Sequence, residues 1–164
     1  MLRSTLEYKY AGYSPIHNPD KNQIHFKLAY ATNHPTGMDV MRGAEFHALG
    51  EHDRDRYKKA VKDQPKDLFS EMIDEIELEG PYLRERKQHK ERAAETLLKV
   101  LSGRRDAIAF GELAAIAQQT LYLKRTELSD ELVRMADNGV VRDSWRARGG
   151  RKPTENDLIA RADG

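Results

Sequence analysis

Between Ile24 and Tyr30 the side chains alternate, with Ile24, Phe26, Leu28 and Tyr30 set against His25, Lys27 and Ala29. A period of two puts one apolar row on one face of a β-strand, and that row has to be covered. The run from Leu6 to Ile16 is the nearby partner, and the stretch between them holds Asn18, Pro19, Asp20 and Asn22. Proline fixes its own φ and Asn and Asp side chains bond the local backbone, so this stretch turns and the two runs form a β-hairpin. Two strands alone are marginal in water, so the hairpin needs helices or more strands to lie against. Burying each of the four apolar side chains contributes roughly 1.5–3 kcal/mol, and an open strand edge is a template for pairing. The expectation is a homodimer joined through the hairpin or the helical middle of the chain.

From Gly37 onward the period becomes helical. Only 38% of the 164 residues are hydrophobic and 34% are charged, which suits small folded units joined by charged helices better than one large core. Leu68, Phe69, Met72, Ile73 and Ile76 recur at spacings of three and four and make one apolar stripe, expected to cover one side of the hairpin. Gly80-Pro81 ends that helix and opens another over residues 82–103, with Pro81 in its first turn and Gly103 as its cap. Its stripe, Ala94, Leu97, Leu98 and Leu101, occupies the second half. The charged first half is placed in solvent or at a partner surface.

The last sixty residues alternate short elements. Residues 107–110 read as a strand, 111–119 as a helix with Leu113, Ile116 and Ala117 inward, 120–123 as a turn, and 124–139 as a second helix. Leu128, Leu132 and Met135 or Ala136 form the buried stripe of that second helix, and Asn138-Gly139 a left-handed stop. Residues 140–145 then read as a strand, 146–153 as a basic turn and 156–161 as a returning strand. This is the order of a winged helix-turn-helix. The fold class expected is α+β, in three parts: a hairpin and helix over 1–48, a charged helical region over 49–103, and a winged helix over 104–164.

The basic turn is the strongest local signal for function. Residues 142–152 contain Arg142, Arg146, Arg148, Arg151 and Lys152 against Asp143, a net +4 where the whole chain carries +1. Gly149-Gly150 supplies the backbone freedom for a tight tip that would throw the arginines outward. Fixed cations on a protruding backbone suit phosphate, and arginine adds bidentate geometry. In a winged helix the start of the second helix lies nearest the bases, which makes Lys124, Arg125, Thr126 and Ser129 candidate contacts, with Thr126 and Ser129 equally read as helix-start caps. Glu127, Asp130 and Glu131 on the same helix work against an anionic ligand. The leading expectation is a nucleic-acid-binding protein, DNA before RNA. The alternative is a protein-interaction subunit.

Other chemistries lack their residues. With no Cys there is no thiol nucleophile, disulfide or cysteine-ligated zinc, a composition compatible with a reducing cytosol. Five of the six histidines lie in the first third, but none forms an H-x-x-x-H pair, and His47 and His52 diverge by about 140° on a helix. No serine sits in a G-x-S-x-G context, and no Walker or G-x-G-x-x-G loop is present. No catalytic residue, metal or cofactor is therefore expected. No apolar run approaches the roughly 18 residues of a membrane span, and the N-terminus has no signal-peptide pattern, so a cytoplasmic, soluble protein is expected.

Strand residues running into Ala31, Thr32, Asn33, His34 and Pro35, with Gly37 and Met41 following, resemble the closing segment of three-Cys-motif partner proteins. That family is methyltransferase-like and is encoded beside a radical-SAM-like protein bearing the three cysteines. The resemblance implies that residues 1–48 correspond to the last strand of a Rossmann-like sheet and the helix after it, with a winged helix to follow. It also implies a methyltransferase-like or radical-SAM-like partner. The family's earlier strands and glycine-rich cofactor loop have no counterpart here, so its cofactor residues have no positions in this sequence and the chain looks like a free-standing C-terminal portion. Asn33, His34 and Pro35 match the motif, and taken by themselves they read as the turn that ends a strand.

Overall fold

The computed structural model describes residues 7–18, 23–62 and 80–162, with residues 56–62 described by their backbone alone. The stripe from Leu68 to Ile76 lies outside the described residues. The fold is α+β. It opens with an antiparallel hairpin of β1 (Tyr10–His17) and β2 (Ile24–Thr32), followed by α1 (Pro35–Lys62), α2 (Pro81–Glu91), α3 (Ala93–Ser102), β3 (Ile108–Ala109), α4 (Phe110–Gln118), α5 (Arg125–Asp137) and β4 (Leu158–Ile159). Tyr10 stands opposite Thr32 and Ile16 opposite Phe26, and the register then slips so that His17 meets Ile24. That slip is a bulge at the turn end of the hairpin.

Residues 93–162 share one apolar core. Leu97 and Leu101 of α3, Leu113 and Ala117 of α4, and Leu128, Leu132 and Met135 of α5 meet Ile108, Trp145 and Ile159. The helices form where the period of three and four puts these side chains on one side. Gly139, at φ 69°, closes α5 as expected. The strand material is shorter than the sequence suggests: Ile108 pairs with Ile159 and Ala109 with Leu158, and Val141 makes a single bridge to Arg161. Phe110, read as strand, starts α4 instead, because its N–H and that of Gly111 are taken by the carbonyls of Asp157 and Glu155 at 2.8 and 2.9 Å.

Two more corrections concern the helices between. The single helix expected over 82–103 is divided at Arg92, where the backbone is held at φ −91° and ψ 0°. In its charged first half Arg84, Lys87, Lys90 and Glu91 are exposed as expected, but the other face packs inward. In α2, Tyr82 is buried, Arg86 pairs with Glu127, and His89 accepts the backbone N–H of Tyr122 at 2.9 Å. Asp53 of α1 caps α2 by accepting the N–H of Leu83 at 3.1 Å. Gly80 is required beside it, since a β-carbon there would strike the Asp53 carboxylate. Among the described residues no helix is long and apolar enough to cross a membrane.

Candidate interaction surfaces

The basic turn is compact rather than protruding. Residues 146–148 form a 3-10 turn closed by Gly149 at φ 80°, and Trp145, almost fully buried, anchors it by accepting the N–H of Gly150 at 3.0 Å through its carbonyl. The basic side chains remain exposed, but several are paired with acids. Arg146 pairs with Asp137 at 2.5 Å and approaches Asp143 at 3.7 Å, Arg148 pairs with Asp157, and Lys152 pairs with Asp130. Arg142 and Arg151 are exposed. The local excess of positive charge read from the sequence is thus largely matched by acids from α5 and from the loop before β4.

The start of α5 is also engaged. Asp39 of α1 accepts the Arg125 N–H at 2.9 Å and approaches its guanidinium at 3.4 Å, while Glu155 stands 3.7 Å away. The Lys124 ammonium lies 4.2 Å from the Phe46 ring centroid. Ser129 is 5% exposed and packs inward, which removes it from any contact surface. Neither Thr126 nor Ser129 caps the helix, because Asp39 and the Glu127 carboxylate take that place. Thr126 is exposed. The outer face of α5 beyond it carries Asp130, Glu131, Arg134 and Asp137, with Arg134 bonded to Glu131 at 2.6 Å. That face is net acidic.

A polar junction joins the hairpin to the C-terminal core. Arg42, 1% exposed, donates to the Gln118 carbonyl at 2.6 and 2.9 Å, to the Tyr13 carbonyl at 3.1 Å and to Glu45 at 2.5 Å. Its guanidinium also lies 4.7 Å from the Tyr122 ring centroid and 5.6 Å from that of Tyr30. One side chain therefore ties β1, α1, α4 and the loop before α5 together. Burial pushes the Tyr30 hydroxyl up to about 12 and raises Tyr82 and Tyr122 as well. His89 is held down at about 4 by burial first and then by the charges of Arg42 and Arg92. It is neutral at pH 7, as its acceptor role requires.

The motif residues form the turn between β2 and α1. Asn33 accepts the Lys9 N–H at 2.9 Å, His34 accepts the Thr36 N–H at 3.3 Å, and Pro35 begins the helix. What the sequence did not reveal is the state of β2. Tyr10 and Tyr30 pack against Met38 and Ala115 at one end of the hairpin, but Ile24, Phe26 and Leu28 are 49%, 53% and 48% exposed. Beneath them a groove of about 150 Å³ runs between hairpin and α1, lined by Ser14, Ile16, Leu28, Met41, Ala44, Glu45, Ala48 and Leu49. Among the described residues β2 pairs with β1 alone, so its other edge is open. Glu45 Oε1, at the groove, is buried with no hydrogen-bond partner among them. Comparison of the chain with protein-family models, curated proteins and solved structures found no match.

Proposed function

We propose that the protein is an interaction module that docks through the open edge of β2, with a winged-helix unit over residues 104–162 behind it. The observation that carries this reading is the exposure of Ile24, Phe26 and Leu28 on a strand whose second edge is unpaired among the described residues. An unpaired row of backbone groups next to exposed apolar side chains is the arrangement that accepts an added strand. The occupant we assign is the edge of a Rossmann-like sheet in a methyltransferase-like partner, because residues 24–41 resemble the segment that closes such a sheet in three-Cys-motif partner proteins. A photo-cross-linking amino acid in place of Leu28, used in the native host and read by mass spectrometry, tests it. Cross-links to a Rossmann-like strand support the reading. Cross-links confined to a second copy of this chain, or none, overturn it.

Nucleic-acid binding is the second reading, favoured by the order of α3, β3, α4, α5 and β4, in which β4 returns to pair with β3. The ion pairs on Arg146, Arg148 and Lys152 weaken it, since trading each acid for a phosphate would leave Asp130, Asp137 and Asp143 facing the same anion. A gel-shift titration at about 50 mM salt, where phosphate contacts are strongest, decides this reading. A shift lost when Arg146, Arg148, Arg151 and Lys152 are replaced by Glu supports it, and no shift by the wild type rejects it. The proposal includes no enzymatic step.

A further inference from the structure

The hairpin face turned toward α1 is closed at one end, where Tyr10 and Tyr30 pack against Met38 and Ala115. It opens further along. Ser14 stands opposite Leu28 in the hairpin register and Ile16 opposite Phe26, so Ser14, Ile16 and Leu28 share one face and form one wall of the groove of about 150 Å³. The other wall is α1, where Met41, Ala44, Glu45, Ala48 and Leu49 follow the i, i+3, i+4, i+7, i+8 pattern of a single helix side. Two of these are alanines, and the short side chains of Ala44 and Ala48 leave the space between helix and hairpin.

Glu45 is the charged group on that wall, and its side chain is 2% exposed. Its Oε2 accepts from Arg42 at 2.5 Å, while its Oε1 is buried with no hydrogen-bond partner among the described residues. A buried acceptor left empty is costly, and a donor entering the groove is the group that completes it. The pair with Arg42 already balances the charge of Glu45, so a second cation would be buried without a counter-charge. A neutral O–H donor fits instead. Volume decides what carries it, since a mostly aliphatic cavity of about 150 Å³ holds a benzene-sized ring.

We infer that the groove is a pocket for a phenol ring, supplied as a tyrosine side chain by the strand that docks on β2. The source of the ring rests on the docking reading above. A strand added along the open edge of β2 carries alternate side chains on the face that Leu28 occupies, and directly opposed side chains stand about 5 Å apart. One of them therefore overhangs the groove beside Leu28, the lining residue that β2 contributes. Main-chain pairing gives such a complex its affinity, and a pocket for an alternate side chain gives it its choice of sequence.

The test is titration of the full chain with p-cresol, the tyrosine side chain as a free molecule, followed by NMR of the Met41 and Leu28 methyl groups. The wild type is expected to saturate. Toluene, the same ring without its hydroxyl, is expected to bind at least about tenfold more weakly, a difference of about 1.4 kcal/mol. A44L and A48L each fill the groove from the helix side and are expected to abolish the shifts, with the melting temperature unchanged or raised. V40A, at a position of α1 that is 62% exposed, retains binding. Absence of saturation by p-cresol overturns the pocket, and so does equal affinity for toluene, a comparison made on the wild type that needs no variant to fold. Binding retained in both A44L and A48L overturns its position. Cross-linking at Leu28 reports docking separately: a partner captured there that p-cresol does not displace overturns tyrosine as the occupant, and p-cresol binding without a captured partner assigns the pocket to a free phenol.

Discussion

The two ends of the molecule are held by different physics. Residues 93–162 are organised around one continuous apolar cluster, in which Leu97, Leu113, Leu128 and Leu132 have no solvent exposure. The hairpin and α1 are joined to that unit by a buried arginine and by the packing of Tyr10 and Met38 on Ala115, while Ile24, Phe26 and Leu28 of β2 stay about half exposed. An apolar core is non-directional and tolerates adjustment, whereas a buried guanidinium demands every partner in place. On the proposed reading, the C-terminal unit supplies the stable fold and the N-terminal hairpin the docking strand.

The sharpest way to break the comparison is Arg42→Met. Removing one member of a buried pair leaves Glu45 charged and unpartnered, at a cost of about 3–5 kcal/mol. Urea unfolding should show the loss, and hydrogen exchange should show it concentrated in β1 and β2 while the amides of α5 stay protected. Adding Glu45→Gln should recover part of it, because the stranded charge is then gone. Leu132→Ala is the counterpart at the other end. Cavity formation there should cost about 2–5 kcal/mol, and protection should fall in α3, α4 and α5 together.

A smaller effect depends on pH and reports on the junction. His89 is held at about 4 in the folded chain, below the ordinary histidine value of about 6.5, so the unfolded chain binds the extra proton first. The stabilisation is full above about pH 6.5 and is lost as pH falls toward 4. His89→Asn keeps an acceptor for the Tyr122 N–H and does not titrate. Its melting temperature should fall less than that of the wild type between pH 7 and pH 5, and an identical fall in both would remove His89 from the account. The smallest effect belongs to the basic turn. Lys152→Ala breaks an exposed pair with Asp130, which should cost no more than about 1 kcal/mol in thermal unfolding.

These contrasts also mark what was legible in the sequence. The helices α4 and α5 were plain because Leu113, Ala117, Leu128 and Leu132 repeat at helical spacing, and the hairpin was plain from its alternation and its turn. Alternation alone does not say what a strand packs against, and so the exposure of Phe26 and Leu28 was hidden. Arg42 was hidden for the opposite reason. In a helix rich in charge it looks like a solvated residue, and its burial depends on a carbonyl 76 residues away. A count of charges over residues 142–152 missed the acids of α5, which pairing brings close.

The central claim is that Phe26 and Leu28 serve contact with another molecule rather than this chain's own core. The double variant F26D/L28D, unfolded thermally and in urea beside the wild type, tests it most directly. Half-exposed side chains on an open strand predict a loss of no more than about 1 kcal/mol per site. A loss of several kcal/mol at each would show that the two residues belong to the protein's own core, and would contradict the assignment of β2 as a docking strand.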